Sequence, residues 1–330
     1  MSEPSNPFHV VRGPGASLAP GTLKGAVVAI GNFDGVHKGH RAVIDVAIAR
    51  ARALGRKAAA LTFAPHPRQF FRPDVPLFRL STERNKLRLL AATGLDGAIL
   101  MDFDAALAAT PAEAFVEDIL VGRLGIGGAV TGYDFHFGKN RGGSPDFLKE
   151  QGPHLGFAVD IVPALTDEGR PVSSGTVRNA LAEGRIAEAT GLLGAPWFVT
   201  APVIHGEKRG RDLGFPTANM RLDPACGLRH GIYAVRADIG GKGHKRVDGV
   251  ASFGRRPTFD DGAPLLETFL FDFTGDLYGR EIDVAFIGWI RPEMKFDSIE
   301  ALKRAMDDDA AKARALLAQA PDAFPPLGAV

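Results

Sequence analysis

The chain is short of several things, and each shortage excludes something. Among 330 residues there is a single cysteine, Cys226. That excludes an internal disulfide and a cysteine-cluster metal site, and leaves Cys226 to be read as a small, partly buried hydrophobe. No apolar run approaches the ~18–20 residues needed to span a bilayer. Neither sign of charge dominates: 39 basic against 38 acidic residues leave a net charge of +1. Cut at residue 194, the first part has 21 basic and 19 acidic residues and the second 18 and 19. Neither part carries the broad positive field that nucleic acid binding usually needs. The first 22 residues contain no basic segment followed by an apolar stretch. They read as a loose, flexible leader rich in Pro, Gly and Ser, with the cytoplasm as the default compartment.

Glycine and proline, by contrast, are plentiful: 40 and 23 residues, above the roughly 12% of an average chain. Many tight loops are implied. The apolar fraction of 45% and charged fraction of 23% are ordinary, so the chain can bury enough surface to offset its entropy, and disorder throughout is excluded. At about 150 residues per domain, the length suggests roughly two domains.

Hydrophobic patterning divides the chain the same way. Val27–Ile30, Ala58–Phe63, Gly97–Met101, Ala129–Gly132 and Ala158–Pro163 are short apolar runs of the kind that form buried parallel strands. Helical periods lie between them at Lys38–Leu54, Glu83–Ala92 and Pro111–Val121. Strand–helix alternation predicts an α/β domain over residues 23–194. After Gly194 the pattern changes to short strands at Trp197–His205, Gly231–Asp238, Val247–Phe253, Leu265–Phe273 and Glu281–Ile290, separated by turn residues. This predicts a small antiparallel β-barrel over residues 195–330. Asp297 and Glu300 open a terminal helix over Ile299–Ala320, and the acidic run Asp307–Asp309 reads as its solvated face.

Two constellations carry chemistry. The first is Gly31-Asn32-Phe33-Asp34-Gly35-Val36-His37-Lys38-Gly39-His40, at a strand end where a helix begins. Glycines allow close backbone approach to a ligand, and a helix N-terminus favours phosphate. His37 and His40 are three apart and share a face of the first turn, where imidazoles can donate to phosphate oxygens. The spacing is neither that of a P-loop nor that of the dinucleotide fingerprint. The second is the glycine-bounded basic loop Gly206-Glu207-Lys208-Arg209-Gly210-Arg211-Asp212-Leu213-Gly214, followed by Phe215-Pro216-Thr217-Ala218-Asn219. Such a loop can wrap phosphates with its N–H groups. Thr217 and Asn219 are hard oxygen ligands two apart, on one side of an extended segment, and suit Mg²⁺.

The first segment is similar to the signature of the His-x-Gly-His nucleotidyltransferase superfamily. Thr62-Phe63-Ala64-Pro65-His66-Pro67, Gly132-Tyr133-Asp134-Phe135-His136-Phe137-Gly138 and Ser173-Ser174-Gly175-Thr176-Val177-Arg178 follow in the order found in bacterial FAD synthetases. The second segment resembles the signature of riboflavin kinases. That match extends through Gly231-Ile232-Tyr233, Gly249-Val250-Ala251, Arg256-Pro257-Thr258-Phe259, Leu266-Glu267, Phe273 to Gly279 and Arg291 to Phe296. Together they resemble the bifunctional riboflavin kinase/FMN adenylyltransferase family over nearly all of residues 24–320.

The resemblance implies a Rossmann-like nucleotidyltransferase domain and a kinase barrel with a terminal helix. It implies that riboflavin and ATP give FMN, and that FMN and ATP then give FAD and pyrophosphate, both steps with Mg²⁺. His37 and His40 would stabilise the ATP phosphates, with Gly31, Asn32, Phe33, Gly35, Ser173, Ser174 and Arg178 as further ATP contacts. His66 and Asp134 would border the flavin of that site. In the barrel, Gly206, Gly210 and Arg211 would bind ATP, Thr217 and Asn219 would hold Mg-ATP, Phe215 and Arg291 would contact flavin, and Glu267 would be the base. Partners would be small molecules, with no nucleic acid and no membrane, and the chain would be a monomer or weak homo-oligomer. Two residues depart from the family: Gly175 where Thr is usual, and Ser252 where Asn is frequent. The alternatives left open are a riboflavin kinase alone, a different nucleotidyltransferase, and a flavin-binding protein with inactive sites.

Overall fold

The computed structural model describes residues 7–13, 22–167, 169–206, 215–240, 245–255 and 263–330. By contact, the chain divides into two units. One comprises residues 1–77, 81–174 and 326–330, and the other residues 78–80 and 175–325.

The first unit is built on six strands: β1 (His9–Arg12), β2 (Val27–Ile30), β3 (Ala58–Ala64), β4 (Gly97–Asp102), β5 (Gly128–Gly132) and β6 (Ala158–Val162). All pair in parallel, in the order β1-β4-β3-β2-β5-β6. Every residue of β2 is buried, as expected of a strand covered on both faces. Val28 and Ile30 join Leu61, Ile99, Phe115 and Leu148 in one core. The helix Lys38–Ala53 lays Val43, Ile44, Ala47, Ile48 and Ala51 against the sheet. Strand order reverses at β2, which has β3 on one side and β5 on the other. In such sheets ligands bind at this switch point, beyond the carboxyl ends of the strands.

Two expectations are corrected here. Residues 9–12, taken as flexible leader, are strand β1, parallel to β4. Val11 packs on the core, and at Gly97 a Cβ would lie 2.3 Å from the His9 carbonyl oxygen, so the absent side chain admits the extra strand. The expected helix over Pro111–Val121 is a short α-turn, Ala112–Ala114, that continues as a π-helix over Phe115–Arg123.

The second unit holds six antiparallel strands: β9 (Phe198–Pro202), β10 (Thr217–Arg221), β11 (Gly231–Asp238), β12 (Arg246–Arg255), β13 (Pro264–Leu270) and β14 (Glu281–Arg291). A two-stranded hairpin in the first unit, β7 (Thr166–Asp167) and β8 (Arg170–Pro171), precedes them. The order is β10-β13-β12-β11-β14-β9, and a bridge between Ile204 and Asn219 brings the end of β9 back to β10. The sheet is thus a nearly closed barrel. The helix Ile299–Ala318 packs across β11, β12 and β14, burying Ala313 and Leu317 against Ala234 and Phe271. Phe286 lies between Trp197, stacked at 5.1 Å, and Tyr233, edge-on at 5.2 Å. Residues 175–194 cluster with this unit rather than with the α/β layer. The reason is visible in Ile186–Leu193, a helix that packs against β14.

Among the described residues no helix is long and apolar enough to cross a membrane. Cys226 is buried, and burial pushes its thiol up to about 11. A thiol reagent at pH 8 is therefore expected to modify it slowly in the native protein and fully in denaturant, because only the thiolate reacts. Rapid modification of the folded chain would contradict this burial.

Candidate functional sites

The loop from Gly31 to His40 leaves the carboxyl end of β2. Phe33, Gly35 and Val36 adopt positive φ, at 48°, 79° and 45°. Asp34 ties this turn down. Its carboxylate accepts from the Ser81 N–H at 3.0 Å and the Ser81 hydroxyl at 3.3 Å, and its carbonyl accepts from the Ser174 hydroxyl at 3.0 Å. The Gly35 N–H donates to Ser81 Oγ at 3.0 Å. Ser174 therefore reaches the loop, with Ser173 before it in the chain, and the Val172 carbonyl lies 3.0 Å from where a Gly39 Cβ would stand.

His37 is the N-cap of the helix Lys38–Ala53, and its Nδ1 accepts from the His40 N–H at 3.2 Å. A neutral imidazole accepting at Nδ1 carries its proton on Nε2. The two rings stack, 3.6 Å between centroids and 18° apart, and Phe33 meets His40 edge-on at 5.2 Å. His37 is 6% exposed. The pair is thus a stacked unit with one nitrogen spent on capping, rather than two independent surface donors. Asn32 Oδ1 is buried with no hydrogen-bond partner.

His66 and Asp134 follow β3 and β5, so the topology delivers them to the same edge of the sheet. His66 caps the short helix Pro67–Phe71 by accepting from the Arg68 N–H at 3.1 Å, and Asp134 is exposed. Arg178 clusters with the second unit, where its Nε donates to the Phe78 carbonyl at 2.5 Å.

In the second unit, register builds a row across five strands. Asn219 on β10 faces Glu267 on β13, which faces Ser252 on β12, then Ile232 on β11 and Arg291 on β14. Residues directly opposite share a face of an antiparallel sheet. Glu267, Ser252, Ile232 and Arg291 line a cavity of about 330 Å³, together with Thr217 and Phe215. That volume falls in the range of small-molecule sites. The Asn219 amide nitrogen lies 3.5 Å from Thr217 Oγ1, while Asn219 Oδ1 is buried with no hydrogen-bond partner among the described residues. Gly206 abuts this amide: a Cβ there would stand 2.5 Å from Asn219 Nδ2. Gly210 and Arg211 lie outside the described residues, as does the Arg256–Phe259 motif.

One cavity residue escaped the sequence reading. Asp309 is not on a solvated helix face; it is 4% exposed. Its carboxylate accepts from Arg291 Nε at 2.8 Å and Nη2 at 2.6 Å, a two-point pair at the cavity wall. Arg291 Nη1 donates to the Pro292 carbonyl at 2.9 Å. The burial period of the helix could have flagged Asp309, since Ala313 and Leu317 follow at four-residue steps.

A family model described as FAD synthetase matches residues 19–176. One described as riboflavin kinase matches residues 193–317. By class the chain is therefore a two-domain transferase of flavin nucleotide synthesis. Among curated relatives, a bifunctional riboflavin kinase/FMN adenylyltransferase of Pseudomonas fluorescens is 42% identical over 296 residues, spanning 89% of this chain and 94% of the relative. Its counterpart from Escherichia coli K12 is 38% identical over 298 residues, 90% and 95% of the two chains. A Streptococcus pneumoniae crystal structure described as a macrolide-efflux protein superposes with a TM-score of 0.81 at 32% identity, covering 92% of this chain and 98% of that one. The chain belongs to the bifunctional riboflavin kinase/FMN adenylyltransferase family.

Removing one partner of a buried ion pair leaves the other charge stranded. Asp309→Ala is expected to destabilise the second unit by about 3–5 kcal/mol, read by urea unfolding. Replacing both partners together, Arg291→Met with Asp309→Leu, should cost clearly less. Equal costs would mean that the pair is solvated.

Proposed function

We propose that the chain makes FAD in two ATP-dependent steps, one in each unit. The second unit transfers the γ-phosphoryl group of ATP to the 5′-hydroxyl of riboflavin, giving FMN and ADP. The first transfers the adenylyl group of another ATP to the FMN phosphate, giving FAD and pyrophosphate. The observation that carries the reading is the row in the second unit, which aligns one carboxylate, Glu267, between Asn219 and an apolar cavity.

The two steps make different demands. The 5′-hydroxyl of riboflavin is a poor nucleophile until its proton is accepted, and Glu267 is the group assigned to accept it. Phe215 and the apolar wall take the flavin rings, and Arg291, held by Asp309, faces the flavin or its new phosphate. Gly206, Gly210 and Arg211 belong to the ATP loop. Thr217 and Asn219 fit Mg²⁺, since a buried, unpartnered amide oxygen beside a hydroxyl is a hard donor set. When bound, the ion neutralises charge on the nucleotide phosphates.

Adenylyl transfer needs no protein base. A phosphate monoester has its second pKa near ~6 and is largely ionised at neutral pH. The oxygen of FMN attacks the α-phosphorus and pyrophosphate leaves. The site must align the two anions and offset their charge. His37 through Nε2–H, His40, the N–H groups opening the helix Lys38–Ala53, and the loop residues Gly31, Asn32, Phe33 and Gly35 are assigned to that work, with Ser173 and Ser174. Arg178 enters as an ATP contact on its motif alone. His66 and Asp134 border the flavin.

Purified protein incubated with riboflavin and Mg-ATP should yield FAD by chromatography of the flavins. FMN alone would reduce the assignment to a kinase, with Gly175 the residue to restore to Thr. Bound but unconverted riboflavin would overturn it. Glu267→Gln should slow FMN formation by about 10²–10⁴-fold and leave FAD formation from supplied FMN unchanged. His37→Ala should do the converse, by about 10²-fold. Loss of both activities in either variant would sink the two-site assignment.

A further inference from the structure

We propose that Lys86 is a positioning residue for adenylyl transfer, acting through the Asn32 peptide on the loop from Gly31 to His40; this rests on the reading of the first unit given above. Lys86 lies in the second turn of the helix Glu83–Ala91 and is 8% exposed. Its Nζ donates to Thr62 Oγ1 at 3.0 Å, the Phe63 carbonyl at 3.2 Å and the Asn32 carbonyl at 3.4 Å. A lysine amine can donate to several oxygens at once. The Thr62 hydroxyl itself donates to the Asn32 carbonyl at 3.1 Å.

These oxygens sit at the carboxyl ends of two adjacent strands. The glycine loop leaves one, β2, and the Pro65-His66-Pro67 segment leaves the other, β3. One side chain thus ties together both points from which the site departs. It pins Asn32 by the backbone, while the buried Oδ1 of the same residue has no hydrogen-bond partner among the described residues. Five residues earlier, Ser81 holds Asp34 and Gly35. The start of this helix therefore fixes the loop at two places.

Methionine would fill the same space without a charge. It would donate to none of the three oxygens, so packing alone does not account for a donor here. A donor shared by the ends of β2 and β3 does account for it, because it holds in place the loop assigned to the ATP phosphates.

The test uses the full chain. In Lys86→Met, riboflavin phosphorylation by the other unit serves as the control for folding. For FAD formation from supplied FMN, three constants are measured: KM for ATP, and inhibition by pyrophosphate and by AMP. The KM for ATP and the pyrophosphate constant are expected to rise at least tenfold, and the AMP constant by less than threefold. A lysine that only stabilises the unit would lower the amount of active enzyme and its thermal midpoint, leaving all three constants unchanged; that outcome overturns the proposal. So does an equal rise in all three. Should Lys86→Met make too little FAD for these constants to be read, they are read in Lys86→Arg, which keeps a donor at this position. Values within threefold of the parent then support the proposal, and a tenfold rise overturns it. Failure of the unmodified chain to make FAD would instead defeat the functional reading itself.

Discussion

The first unit depends on a few residues of strained backbone. Phe33 and Val36 are held at positive φ, which costs side-chain-bearing residues roughly 1–3 kcal/mol each. Strain of this kind persists only where its surroundings over-determine it. Here they do: Asp34 is bonded through both its carboxylate and its carbonyl, and the side chains of Phe33 and Val36 are 1% and 0% exposed. The turn lets the chain pass from the end of β2 to a helix N-cap within seven residues. His37 can cap that helix only because the backbone has already reversed. The imidazole stack, the proton position on His37 and the exposed helix N-terminus all follow from that turn.

The second unit reaches its geometry by register rather than strain. A side-chain period of two means that a one-residue slip would send Glu267 to the opposite face. The pairing of Asn219, Glu267, Ser252, Ile232 and Arg291 is therefore a single decision made four times. It is reinforced at its two ends. Gly206 leaves room for the Asn219 amide at one end, and Asp309 fixes the Arg291 guanidinium by two hydrogen bonds at the other. Between these two ends of the row lie Glu267, Ser252 and Ile232, with Val250, Ala251 and Phe269 in the same cavity wall.

Much of this was legible from the residues. The buried parallel strands show as Val, Ala, Ile and Leu runs because both faces are covered, and the barrel strands show as short segments between turns. The candidate site residues of both units lie in motifs whose backbone demands, Gly for close approach and Pro for rigid turns, leave few substitutes. What was not legible depends on distant partners. Strand β1 is four residues long and is made a strand by pairing with β4. Asp309 looks like part of a charged helix face until Arg291 is placed opposite it. Lys86 and Ser81 carry no motif of their own; they matter because the helix Glu83–Ala91 begins beneath the loop after β2. Residues 175–194 look like a continuation of the α/β pattern, and packing against β14 assigns them elsewhere.

The contrast between the two builds follows from the two reactions. Where the nucleophile is already an anion, catalysis reduces to holding charges in place, and a loop fixed before substrate arrives avoids reorganisation during the reaction. Bonds from Ser81, Ser174 and Lys86 provide that fixity, at the cost of strained backbone. Where the nucleophile is a hydroxyl, a proton must move as well, and the acceptor must sit within reach of a flexible ribityl chain. A strand residue facing a cavity serves this better than a locked loop, since its position is set by register while the space before it stays open.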